Sequence, residues 1–154
     1  MVGVFPEDVE FVMDPDFSDN TMLADNLMNQ HRLVVVSGRL KAFLSDQHVP
    51  KLEFLPVAIR DHRGKIAGHY FIVHLLDPVD CLDRQASKAL VNPAVKTQVM
   101  AVKRLVLLKD MLPEDRPFFR IAGYPQARLV RRDLAQLVEK EFAELTFDEI
   151  EKKA

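Results

Sequence analysis

Residues 52–76 read LEFLPVAIRDHRGKIAGHYFIVHLL, two apolar runs separated by Asp61-His62-Arg63-Gly64. Asp and Gly supply the side-chain bond and the positive φ that a tight reversal needs, so the stretch predicts a β-hairpin with strands over 52–60 and 65–76. In the second strand Ile66, Tyr70, Ile72 and Leu76 fall on one face and Ala67, Phe71, Val73 and Leu75 on the other. A strand with apolar groups on both faces belongs in the middle of a sheet. Pro56 donates no ladder hydrogen bond, which predicts an irregularity or a free edge in the first strand.

On the N-terminal side of this hairpin, Leu33-Val34-Val35-Val36 is a β-branched run and reads as a short strand covered on both faces. Ser37 follows as the N-cap of a helix to about Gln47 in which Leu40, Phe43 and Leu44 recur at helical spacing. Further back, Val9, Phe11 and Met13 alternate with polar neighbours, the pattern of an edge strand, and residues 14–20 are loop-forming. A short helix capped by Asp19 or Thr21 and running through Gln30, with Met22, Leu23, Leu27 and Met28 inward, fits the segment between them.

On the C-terminal side, Asp77 to Ser87 reads as a structured turn segment, and Val99 to Leu108 as one strand. Short strands over 117–122 and 127–130 flank a turn at Gly123-Tyr124-Pro125-Gln126. A helix from Arg132 to Phe142 then presents Leu134, Leu137, Val138 and Phe142 inward. Leu145-Thr146-Phe147 is expected to close the sheet, and residues 148–154 to fray. The fold class predicted is α+β, an antiparallel or mixed sheet of about five or six strands with helices packed on it. One domain over residues 1–154 is expected, with an acidic segment over 1–31 and a core over 32–150.

Composition narrows the function. No apolar run nears the roughly 20 residues of a membrane span, and the N-terminus has neither the basic nor the apolar region of a signal peptide. With Cys81 as the sole cysteine, a reducing cytoplasm is the expected compartment. The net charge of -2 argues against nucleic-acid binding. That average conceals Glu7, Asp8, Glu10, Asp14, Asp16, Asp19 and Asp25 with no Lys or Arg before Arg32, a segment charge of -7 against +5 for the remainder. Such a segment either steers a basic partner or rests on the protein's own basic surface.

Phosphate-loop, dinucleotide, zinc-protease and calcium-loop motifs are absent from the sequence. His69 and His74, at odd separation on one strand, point to opposite faces and form no metal pair. Cys81 with His74 and Asp80 or Asp83 has the residue types of a nucleophile, base and orienting group. Carboxylates beside a thiol raise its pKa rather than activate it, so a buried structural cysteine is the expectation. Asp77, Asp80 and Asp83 recur every three residues, which could gather them on one helical face as a cation site or an acidic contact patch, with turn and helix capping expected instead. Arg128, Arg131 and Arg132, with Lys103 and Arg104, are expected to form a solvated basic face. No cofactor, metal or catalytic residue is assigned.

Taken in order, LVVVSGRLKAFL, EFLPVAIRDHRGKIAGHYFIVHLLDPVDCLD, FFRIAGYP and VRRDLAQLVEKEF resemble the bacterial immunity protein family eleven of polymorphic-toxin systems, formerly a domain of unknown function. The resemblance runs from about His31 to Ile150 and leaves the acidic segment outside it. It implies a non-catalytic protein that protects its producer by binding a cognate toxin delivered between neighbouring cells. Asp14, Asp16, Asp19 and Asp25 are then the expected partner-binding residues. The alternative is a small-ligand-binding or regulatory module without catalysis, for which a homodimer is also expected to serve.

Overall fold

A computed structural model describes residues 5–17 and 23–153. The chain divides into two compact units, Met1–His48 with Leu52–His74, and Val49–Lys51 with Leu75–Ala154.

The first unit holds β1 (Glu10–Val12), β2 (Asn26–Leu27), β3 (Val35–Ser37), α1 (Gly38–Asp46), β4 (Leu52–Arg60) and β5 (Ile66–Leu75). They form one five-stranded sheet in the order β1-β4-β5-β3-β2. β1 runs parallel to β4, whereas β3 is antiparallel to both β5 and β2, so the sheet is mixed. The hairpin read from residues 52–76 supplies its centre, and its turn closes through Asp61, whose Oδ1 accepts from the backbone N of Arg63 and Lys65 at 2.9 Å. Pro56 lies two residues before the β1 pairing begins at Ala58, on a free edge where no donor is needed.

One face of this sheet carries Val35, Val57, Ile59, Tyr70 and Ile72, covered by Phe5, Val9, Phe11, Met13, Leu23 and Leu27 of the acidic segment. The alternation at Val9, Phe11 and Met13 therefore has a physical role: it turns the apolar side of an otherwise charged segment onto the sheet. Tyr70 Oη donates to the carbonyl of Ala24 at 2.7 Å, tying the same segment down. The other face carries Phe71 and Phe54, over which α1 places the Lys41 ammonium at 4.2 and 5.8 Å from the ring centroids.

α1 starts where its cap residue dictates. Ser37 Oγ accepts from Leu40 N at 3.1 Å and donates to Asp25 Oδ1 at 2.5 Å. Ser37→Ala removes both bonds and is expected to lower stability by roughly 1–2 kcal/mol, read from the shift of a urea midpoint at constant m-value. A loss under a few tenths of a kcal/mol would show that neither bond matters.

The helix expected over residues 21–30 is not formed among the described residues; Asp19, Thr21 and Met22 lie outside them. Leu23 and Leu27 are four apart, which puts them on one side of a strand as well as of a helix. Here β2 pairs with β3, and Met28, expected inward, is 99% exposed. Asn29 closes the following turn by donating to the carbonyls of Leu27 and Leu33 and accepting from the backbone N of His31 and Leu33. Local side-chain bonds of this kind compete directly with a helical ladder.

The second unit comprises β6 (Leu90–Val91), β7 (Val99–Ala101), β8 (Val106–Leu108), β9 (Phe118–Ile121), β10 (Tyr124–Val130), α2 (Arg132–Glu141) and β11 (Glu151–Lys153). The strands pair two by two, β6 with β7, β8 with β11 and β9 with β10. Cys81, Leu82, Val99, Leu107, Phe119, Ile121 and Leu129 form its core.

Five expectations change here. The strand over 99–108 breaks in two, because Lys103 and Arg104 fold back to donate to the carbonyl of the fully buried Ser87. Ser87 Oγ in turn accepts from Val106 N and donates to its carbonyl. The turn is Ala122-Gly123, with φ +76° at Gly123, and residues 124–126 already belong to β10. α2 buries Leu134, Ala135, Val138 and Phe142, leaving Leu137 46% exposed. Leu145-Thr146-Phe147 forms no strand; Leu145 N donates to the carbonyl of Phe142 in a turn. Residues 151–153, expected to fray, run parallel to β8 instead.

Candidate partner-binding surfaces

The charges of the acidic segment do not all face outward. Asp25 is half-buried, accepting from Ser37 Oγ and from Arg39, whose Nη2 lies 2.6 Å from Asp25 Oδ2. Glu10 on β1 holds Arg60 on β4 through both carboxylate oxygens, at 2.5 and 2.9 Å. Bonding to that guanidinium keeps the Glu10 carboxyl below its ordinary pKa. Asp14 and Asp16 remain exposed, with Asp14 Oδ1 accepting from Asp16 N at 2.9 Å to set the 3-10 turn Pro15–Phe17. Asp19 lies outside the described residues. Of the four acids expected to meet a partner, the fold thus leaves Asp14 and Asp16 open and engages Asp25 internally. Nearby, Glu7, Asp8 and Glu10 line a shallow groove of about 210 Å³ beside the free edge at Pro56, with His69 on its wall.

A larger cleft of about 470 Å³ lies within the second unit. Its apolar lining includes Leu107, Phe119, Leu129 and Ala135, and its polar lining Arg131, Arg132, Glu139 and Glu149. Arg131 pairs with Asp133 through two bonds and also donates to the carbonyl of Glu114. Arg132 pairs with Glu149 at 2.7 Å. An apolar lining with charged groups at its margin suits a protruding apolar side chain of another protein. Nothing in the sequence pattern announces this cleft, because it is assembled from β8, β9, β10, α2 and the segment 147–150.

The residues considered for chemistry are held in other roles. Cys81 is 0% exposed, and burial, with a smaller contribution from Asp80, pushes its thiol pKa up to about 11. The sequence placed the cause in the carboxylates; burial is the larger one. His74 Nδ1 lies 3.1 Å from Glu53 Oε2 across the β4–β5 hairpin. Asp77 pairs with Lys51 at 2.9 Å, and Asp83 Oδ1 accepts from Ala86 N, the capping role expected of it. No group of three or more His, Cys, Asp or Glu able to hold a metal ion occurs among the described residues.

A raised thiol pKa has a testable sign. The folded state keeps the Cys81 proton up to about pH 11 while the unfolded chain loses it near 9. The associated stability is therefore complete below pH 9 and is lost as pH rises through 11. Accordingly, the native protein at pH 8 is expected to resist iodoacetamide and to alkylate once unfolded. Stoichiometric labelling of the folded chain, measured by intact mass, would contradict the burial.

Of the basic residues, Lys103, Arg104, Arg131 and Arg132 are exposed as expected, although Arg104 donates to the carbonyl of Ala86 and Arg131 and Arg132 pair with carboxylates. Lys103 and Arg104 lie at a bend rather than in a strand. Arg128 stands opposite Arg120 on β9, a neighbour that only the register of β9 and β10 reveals.

No helix among the described residues is long and apolar enough to cross a membrane. A family model described as Immunity protein family (Imm11) matches residues 2–150. That span takes in the acidic segment and so is wider than the resemblance from about His31 to Ile150. It agrees with a fold in which the segment covers one face of the sheet. No curated protein matches the chain.

Proposed function

The chain belongs to the Immunity protein family (Imm11), and from that premise we propose that it binds and neutralises a cognate bacterial toxin by covering its active or membrane-acting surface. The match over residues 2–150 carries this reading. Immunity proteins of this kind are generally non-catalytic, and we take this one to act in the cytoplasm, as one domain over residues 1–154, by contact alone. An interface of about 1,600 Å² with a few buried anchors reaches nanomolar affinity or better. The cleft lined by Leu107, Phe119 and Leu129 is suited to receive one such anchor.

Co-expression tests the proposal. Cells carrying this chain beside the toxin encoded next to it are expected to survive induction, and the two proteins to co-purify. Death at the same rate with the folded chain present would overturn it. The cleft also supports a second reading, a small-ligand or regulatory module; a thermal shift with a metabolite and none with a partner protein would favour that instead.

Asp14, Asp16, Asp19 and Asp25 are proposed to complement a basic partner. Asp14 and Asp16 are exposed and so bear on encounter, whereas Asp25 also holds Ser37 and Arg39. Asp14→Lys combined with Asp16→Lys is expected to slow association roughly tenfold at low salt and to flatten its salt dependence. Stopped-flow mixing with the toxin at several ionic strengths reads both; unchanged rates would remove these residues from the interface.

A further inference from the structure

β9 and β10 set Arg120 directly opposite Arg128, next in the ladder to Phe119 against Leu129 and Phe118 against Val130. Directly opposed residues of an antiparallel pair project from the same face, with Cβ atoms about 4.5–5.5 Å apart, and like charges there repel. Phe119, Ile121 and Leu129 take the other face into the core, so the arginines share theirs with Phe118 and Val130. Both arginines are half-buried.

The other arginines of the second unit are neutralised or bonded. Arg131 and Arg132 have carboxylates, while Arg84, Arg104 and Arg116 donate to backbone carbonyls. Among the described residues, no hydrogen bond or ion pair engages the side chain of Arg120 or Arg128. Arg120 Nε is sealed from solvent with no acceptor. Burial and the neighbouring Arg120 charge hold the Arg128 pKa below its ordinary value. Two partly desolvated, mutually repelling cations with no counter-charge among the described residues are a cost to the isolated fold, and such local violations are characteristic of functional positions.

We propose that Arg120 and Arg128 together receive one oxyanion, a carboxylate presented by an acidic side chain of the protein partner. Guanidinium forks match a carboxylate in plane and bond it with two parallel N–H donors. An anion seated on both converts one repulsion into two attractions, and partial burial strengthens those attractions relative to water. The chemistry of the site stands on the arginine geometry; the source of the carboxylate rests on the immunity reading. The contact is opposite in sign to that proposed for Asp14 and Asp16, so the partner would present both basic and acidic groups.

Two arms test this with the full chain. In the first, the arginine Nε–H resonances are followed by NMR while sodium acetate is titrated against sodium chloride at equal ionic strength. Saturable shifts of the Arg120 or Arg128 signals in acetate alone are expected, and Arg120→Gln or Arg128→Gln should abolish the response of the remaining partner. Shifts that follow ionic strength, or that survive both substitutions, would overturn the site. Each variant is expected to unfold at the same temperature as the parent or higher, because repulsion is relieved; a marked fall would assign the pair a structural role and overturn the proposal.

In the second arm, toxin affinity is expected to fall at least tenfold in Arg128→Gln and to be only partly kept in Arg128→Lys, which retains charge without the fork. An acetate response with unchanged toxin affinity overturns the partner carboxylate while leaving the immunity reading intact. An acetate response in a protein that protects no cell leaves the oxyanion site standing and removes the immunity reading. Tighter binding of an oligonucleotide through the same two residues would overturn the assignment to a protein carboxylate.

Discussion

Phe142→Ala is expected to destabilise the protein by about 3–5 kcal/mol, the cost of removing a large aromatic side chain from a site that cannot collapse around the cavity. Phe142 is 2% exposed and sits at the C-terminal end of α2. Its backbone N donates to the carbonyl of Val138, and its own carbonyl accepts from Leu145 N, so the ring is anchored from both sides in the chain. Because total stabilities are typically about 5–15 kcal/mol, the variant is expected to be marginal. Guanidinium unfolding with an unchanged slope is the measurement, and a loss below about 1 kcal/mol would mean that the site repacks. Protection is expected to fall with folded abundance, since a protein that works by covering another must be present in folded form.

Gly123→Ala follows closely, with a loss of roughly 3 kcal/mol expected. Two causes add. At φ +76° a side chain is strained, and a Cβ there would lie 2.2 Å from the backbone oxygen of Thr97. That oxygen is not free to move, because Arg84 donates to it and Val99 N donates to the carbonyl of Gly123, fixing both sides of the approach. Gly38→Ala is the matched control. Gly38 opens α1 with nothing within 4 Å of its added methyl, so this change should be neutral or stabilising by up to about 1 kcal/mol. Equal losses at the two glycines, in paired thermal melts, would remove the steric argument.

Several elements were legible because their signal is local. The β4–β5 hairpin carries its turn residues and two-faced apolar pattern within residues 52–76, and α1 carries its own cap in Ser37. The alternation at Val9, Phe11 and Met13 marked β1 as an edge strand, which it is. The class, α+β with an antiparallel or mixed sheet of about five or six strands, followed from those parts; that the sheet of the first unit is mixed and has five strands is seen only in its pairing. The misreadings share one cause. Leu23 and Leu27 fit two periods equally, and the residues from Val99 to Leu108 fit one strand until Ser87 draws their middle aside. In each case a partner distant in sequence chose between conformations that the local pattern allowed.

For the candidate surfaces the sequence showed a concentration of carboxylates before Arg32 and an inert thiol at Cys81, both read from residues close together along the chain. It did not show that Asp25 is engaged by Ser37 and Arg39, that the acidic segment lays its apolar side on the sheet, or that Arg120 faces Arg128. It also missed β11, because strand pairing along an exposed edge is made by backbone groups that every residue carries. The sequence alone thus determined the hairpin, the capped helix and the excess of negative charge, each encoded in side chains close together along the chain. Only the tertiary structure decided which edge takes which strand and which charges meet, because hydrogen-bonded register and Coulomb contact depend on distance in space rather than along the chain.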